Sequence, residues 1–300
     1  MEMNQNDVAL FAKQKLLCGE SPLWDETESA LYWTDCINGE VYRKGLKDAA
    51  PVRILHNYPI AGIALHQQGG LIFGGKDGFY YWSGTEAPVL KCNSCDNQPL
   101  TDINDIIADP KGRVFGGQEA FREDQDYKHG YLFRLDPRGK CQIVEEGLHL
   151  GNGMGFSPGL DSFYLVDTIL REIYVYDYNV ETGAIKNRKT LIRLSRNEGL
   201  PDGLTVDQEG YIWIAQWFGG AISRYDPEGK LERTLPLPIG QPTSLTFGGI
   251  DYQTIFVTSA DNDWKTPLAP EDYDYTRVRG GSVYKINQSI KGKPEFKANI

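Results

Sequence analysis

The sequence predicts an all-β protein, a six-bladed β-propeller, on three observations. A short apolar strand ending in small or polar residues recurs six times along the 300 residues: LYWTD from 31, LIFGG from 71, RVFGG from 113, FYLVD from 163, YIWIA from 211 and IFVTS from 255. Their starts lie about 40–50 residues apart, the spacing of one propeller blade per repeat. Each copy has a companion strand and turn before it and a third strand after it, an order kept in all six. Aromatic residues make up 12% of the chain, with 17 Tyr and 6 Trp, which favours strands.

The repeats can be followed in order. SPLWDETES leads into LYWTD, with GEVYR behind it; GIALHQQGG leads into LIFGG, with GFYYW behind it. The third and fourth run DIIADPKGR, RVFGG, GYLFRLD and GMGFSPGLD, FYLVD, REIYVYDY. The fifth and sixth run GLTVDQEGY, YIWIA, GAISRYD and SLTFGGIDY, IFVTS, GSVYKI. In the fifth, Leu204, Val206, Ile212 and Ile214 alternate with polar or small neighbours across the turn Asp207-Gln208-Glu209-Gly210, as two paired strands do. Residues 8–17, VALFAKQKLL, precede the first repeat and supply the outer strand of the sixth blade, which hides sheet edges that invite aggregation. With no linker or low-complexity tract, residues 1–300 read as one domain.

Bulk properties narrow the partners. A net charge of −10 argues against nucleic acid or an anionic membrane surface. No run of eighteen apolar residues occurs, and the start MEMNQNDVALFAKQ is too polar and acidic for a signal peptide, so the expected location is the cytoplasm. Five scattered cysteines, an odd number, fit a reducing compartment better than a disulfide framework. Cys92-x-x-Cys95 lacks the second pair that a zinc site needs, and the four histidines stand alone. Residues 118–130, QEAFREDQDYKHG, form a charged loop placed to act as a lid.

The repeat also places a polar ring. The first strand of each repeat lines the central channel of a propeller. Registered on the residue that opens the first turn (Asp25, His66, Asp109, Ser157, Asp207 and Gly248), five steps back lands on Glu20, Ala61, Asn104, Asn152, Asp202 and Thr243. These share one ring near one mouth of the channel. Two carboxylates and two amides converging on a point repel or go unpaired unless a cation sits among them. Oxygen donors without sulfur or imidazole suit a hard cation, Ca²⁺, Mg²⁺ or Mn²⁺, while Zn²⁺ fits with waters completing its shell.

CGESPLWD (18–25), NDIIADPKGRVFGG (104–117), GNGMGFSPGLDSFYLVDT (151–168), NVETGAIKNR (179–188), LPDGLTVDQEGYIWIA (200–215) and FGGIDYQTIFVTSA (247–260) resemble the signature blocks of the SMP-30/gluconolactonase/regucalcin family, in the family's order. The resemblance implies a six-bladed propeller with one divalent metal ion at the channel mouth, acting on sugar lactones. Carried over by motif, it implies Glu20, Asn152 and Asp202 as metal ligands and Asn104 beside the metal in the substrate pocket. Two positions depart from the family pattern. Asp102 of DINDI stands where the family has a substrate-contacting Arg, with Ile106 in place of Gly. Gln118 and Glu119 of GGQEAF replace the family's Thr-Met after the next strand. Asp102 and Gln118 are therefore expected in the substrate-recognition positions.

The reading that follows is a metal-dependent hydrolase opening a sugar-type lactone, a small-molecule substrate. The metal polarises the carbonyl, and Asp202 is both ligand and the base that activates water. No G-x-S-x-G nucleophile motif is present. The alternatives are a phosphotriester hydrolase on the same centre, as the resemblance allows, and a non-catalytic metal-binding regulatory protein.

Overall fold

Strands such as Ala30–Asp35 and Ile212–Trp217 carry no polar face: every residue in both is buried. Such strands need cover on both sides. In the computed structural model, which describes residues 8–96, 98–120, 129–262 and 268–300, neighbouring blades supply it.

Six four-stranded antiparallel sheets follow one another along the chain. The first holds Gly19–Asp25, Ala30–Asp35, Glu40–Gly45 and Val52–Leu55; the second Ile63–Leu65, Leu71–Gly75, Gly78–Trp82 and Val89–Cys92. The third holds Ile103–Ala108, Val114–Gln118, Gly130–Leu135 and Cys141–Leu148; the fourth Gly151–Phe156, Ser162–Asp167, Glu172–Asn179 and Ala184–Arg193. The fifth holds Leu200–Val206, Ile212–Trp217, Ala221–Tyr225 and Leu231–Pro236. The sixth takes Pro242–Gly248, Thr254–Ser259 and Val283–Asn287 from the end of the chain and Val8–Ala12 from its start. First strands of successive sheets touch in a closed circuit, the sixth returning to the first, so they surround the axis. The expected six-bladed propeller is the observed fold. Among the described residues the one helical element is the short 3₁₀ turn Arg196–Glu198, and no helix is long and apolar enough to cross a membrane.

Closure rests on both packing and hydrogen bonds. Val8–Ala12 pairs antiparallel with Val283–Asn287. Phe11 buries its ring against Phe256, centroids 4.8 Å apart, and against Trp33 of the first blade at 6.5 Å. Lys44 Nζ of the first blade donates to the Phe11 carbonyl at 2.8 Å, which ties the two blades across the seam.

In three blades the turn between first and second strands opens on an aspartate, Asp25, Asp109 or Asp207. Asp207, fully buried, accepts at Oδ1 the backbone N–H groups of Glu209 (2.9 Å) and Tyr211 (3.0 Å). Its Oδ2 accepts Trp213 Nε1 at 2.9 Å and Arg224 Nε and Nη2 at 2.9 and 2.8 Å. Burial alone would lower the Arg224 pKa; its bonds to Asp207 and Glu209 outweigh that and hold it above the usual range. Asp109 repeats the device with Lys111, Arg113 and Tyr178. The Asp109 turn is thereby fixed to the fourth blade, and the Asp207 turn to the second and third strands of its own blade.

Candidate functional site

The ring residues sit where the sheet breaks its own rule. In five blades the pairing of first and second strands slips at the ring position: between Glu20 and Leu23, Ile103 and Asp105, Gly151 and Met154, Pro201 and Leu204, and Pro242 and Leu245. A β-bulge inserts an unpaired residue and re-aims its side chain, which strict alternation would not allow. The bulges crowd the first strands together. A Cβ on Gly153 would collide with the Leu204 backbone and one on Gly203 with Ser244, so GNG and PDG each need glycine after the ring residue.

Asn152 and Asp202 meet directly. Asn152 Nδ2 donates to Asp202 Oδ1 and, at 3.2 Å, to Thr168 Oγ1, leaving its Oδ1 as a free donor atom for a cation. Both residues are buried. Glu20 accepts the Ser21 N–H at 3.1 Å and lines the same cavity, as does Asn104, whose Nδ2 makes a long 3.5 Å bond to the Gly151 carbonyl. Thr243 is turned elsewhere: its hydroxyl bonds the Gly19 carbonyl and Thr258 Oγ1. Approach strands are held by two matching acids. Asp35 accepts the N–H groups of Leu17 and Cys18 at 2.9 and 3.2 Å, and Asp167 those of His149 and Leu150 at 3.0 and 3.4 Å. Each pair lies just ahead of a ring residue, Glu20 or Asn152.

The cavity over these groups measures about 450 Å³. Its floor is Glu20, Asn104, Asn152 and Asp202, and its walls include Leu150, Leu200, Trp217 and Ile37. An adjoining recess, lined by Lys76, Asp102 and Asn104, shares Glu119 with it. Asp102 therefore faces the recess, with the backbone in the left-handed region at φ 50°. Gln118 is tied down instead: Nε2 donates to Thr101 O and Oγ1 at 3.0 Å, and Oε1 accepts the Tyr131 N–H at 3.2 Å. Of the loop expected to form a lid, residues 121–128 lie outside the described residues.

Burial, then the Asp202 and Asp105 charges, push the Glu20 carboxyl well above its ordinary range. Burial, then Asp105, does the same to Asp202, against the bond from Asn152. Asp105 is itself pushed up to about 6 by burial, with the Ile106 N–H opposing and Glu295 adding. Sequence reasoning passed over Asp105, because a regular strand sends neighbours to opposite faces; the bulge at Asn104 lets it sense the ring. It passed over Trp217, Ile37 and Asn262 as well, for loop and strand-end walls leave no periodic signal.

Whether a cation fits is a question of donors and charge. Carboxylates converge here with no Lys or Arg among the described residues lining the cavity, so positive charge from outside would relieve their repulsion. The donors are carboxylate and amide oxygens, the set for a hard divalent ion. No group of three or more His, Cys, Asp or Glu among the described residues is placed to hold a metal, so any cation here relies on amide oxygen too. Without a cation, the raised Glu20 and Asp202 carboxyls bind protons more tightly folded than unfolded. Their contribution to stability is complete below the unfolded range of about 4 and is lost as pH rises through the raised folded values. Calcium should then raise the melting temperature more at pH 8 than at pH 5, relative to chelator; equal gains would count against this site as the binding site.

Comparison with known proteins agrees with the geometry. Residues 18–261 match the family model described as SMP-30/Gluconolactonase/LRE-like region. A pentonolactonase of Haloferax volcanii is 34% identical over 286 residues, covering 94% of each chain. Human regucalcin is 32% identical over 283 residues, covering 92% of each. A calcium-binding protein, regucalcin, from Agrobacterium tumefaciens superposes with a TM-score of 0.83 at 23% identity, covering 98% of this chain and 97% of that one. Blade count, ring and sequence match converge on one conclusion: the chain belongs to the SMP-30/gluconolactonase/LRE-like family.

Proposed function

We propose that the protein is a divalent-cation-dependent lactonase acting on a small sugar-type lactone. The observation that carries the reading is the convergence of Glu20, Asn104, Asn152 and Asp202 on the floor of one cavity, in a chain similar to a pentonolactonase. Glu20, Asn152 and Asp202 hold the cation, which is Ca²⁺, Mg²⁺, Mn²⁺ or Zn²⁺; Asn104 faces the substrate. When bound, the cation supplies Lewis-acid polarisation of the lactone carbonyl.

The side chains do the rest. Asp202 Oδ1 is engaged by Asn152, which leaves Oδ2 to take a proton from the attacking water. The same carboxyl then returns the proton to the ring oxygen as the acyl–oxygen bond breaks, giving a hydroxy acid. Asn104 gives up only a long bond to donate its amide hydrogen to a substrate oxygen. Leu150, Leu200 and Trp217 keep water from the reacting groups, which strengthens every charge interaction inside. All five cysteines are free thiols, which suits a cytoplasmic enzyme.

Hydrolysis rates for a panel of aldonolactones and a phosphotriester, each with Ca²⁺, Mg²⁺, Mn²⁺ or Zn²⁺, test the proposal. Lactone opening that disappears with chelation is expected; phosphotriester turnover alone, or no turnover, would overturn it. Glu20→Gln removes one formal charge from the ligand set and should weaken cation affinity by about tenfold or more, and calorimetric titration reads this directly.

A further inference from the structure

Two thiols share the cavity wall. Register in the first blade pairs Gly19 with Asp35, which sets Cys18 opposite Cys36 one step nearer the mouth. The Cys36 N–H donates to the Cys18 carbonyl at 3.0 Å. Directly opposed residues in an antiparallel pair have Cα atoms about 4.5–5.5 Å apart, inside the range that a disulfide spans. Opposed residues of an antiparallel pair send their side chains to the same face of the sheet, so the two thiols project to one side. Both line the cavity, Cys18 buried and Cys36 partly exposed. Asp35 holds the backbone of Cys18 in place.

We propose that Cys18 and Cys36 are an oxidation site, closing to an intramolecular disulfide when a small peroxide enters the cavity. Cys36 sulfur attacks one peroxide oxygen, the O–O bond breaks, and a sulfenic acid and water result. Cys18 sulfur then attacks the sulfenyl sulfur and expels a second water, so two thiols and one hydrogen peroxide become one disulfide and two waters. The cross-link draws together the strand that carries Glu20 and the turn that carries Ile37, and so reshapes both floor and wall of the cavity. A second pair, Cys95 and Cys141, sits in one hydrophobic cluster outside the cavity lining and serves as an internal control.

The test uses the full-length, reduced protein. It is treated with hydrogen peroxide, its remaining thiols are alkylated, and it is digested with trypsin. Lys15 and Arg43 bound a stretch free of Lys and Arg, so both cysteines fall in peptide 16–43. That peptide should escape alkylation and be lighter by two hydrogens, and dithiothreitol should restore it. Lactone hydrolysis should fall about tenfold on oxidation and recover with reductant, and in Cys36→Ser peroxide should leave the rate where it began. Alkylation of both cysteines after peroxide, or sulfinic acid at Cys36 beside an alkylated Cys18, would overturn the proposal. The peptide readout needs no turnover, so a cross-link in protein that opens no lactone upholds the dithiol and removes only the lactonase reading.

Discussion

At saturating divalent cation, Asp202→Asn should turn over lactone about 10²–10⁴ times more slowly than the wild type, the usual cost of removing a positioned base. The amide keeps an oxygen for the cation but cannot accept a proton. Cation affinity should fall too, since a neutral amide is a weaker ligand, and saturation separates that effect from the deficit in proton transfer. Asp202 is held well above the ordinary carboxylate range by burial and by Asp105 when no cation is present. Bound positive charge reverses that shift. The wild-type rate should therefore rise with pH through one ionisation, and the step should vanish in the variant. Wild-type turnover in Asp202→Asn would reduce Asp202 to a ligand and leave the base to be found elsewhere, with Glu20 first in line.

Asp207→Ala should destabilise the folded protein by about 3–5 kcal/mol, because removing one partner of a buried ion pair strands the other. Arg224 is almost wholly buried and gives both Nε and Nη2 to Asp207. Trp213 Nε1 and two backbone N–H groups lose their acceptor in the same change. Arg224 retains Glu209 and Glu232, at 2.6 and 3.5 Å, which keeps the loss from exceeding that range. Urea unfolding of the two proteins measures the difference. A loss below about 1 kcal/mol would mean that water reaches the stranded guanidinium. Replacing Arg224 with Met in the Asp207→Ala background should recover part of the loss, since the stranded charge is then gone.

Much of this architecture is legible in the sequence because a repeat multiplies weak signals. LYWTD alone is ambiguous; six copies in register fix the blade order and rank Glu20, Asn104, Asn152 and Asp202 as equivalents. What escapes is set by packing between blades. Thr243 holds the same rank, yet its hydroxyl is engaged by the Gly19 carbonyl, a contact made only once the sixth blade meets the first. Gln118 stands beside the mouth in sequence and spends its amide on Thr101 and Tyr131. The bulges leave no periodic trace, since the extra residue is defined by the partner strand. Most outer strands, such as Ala184–Arg193, present exposed and charged residues without alternation, because one of their edges faces solvent.

The seam between the two chain ends also orders events during synthesis. Val8 lies beside Ile286 in the finished sheet. On a ribosome adding about 5–20 residues per second, the first strand waits roughly 15–55 s for that partner to emerge. Through this interval five blades can form while the sixth lacks its last strand, and the nascent Val8–Ala12 segment offers an unpaired edge and the ring of Phe11 to any neighbour.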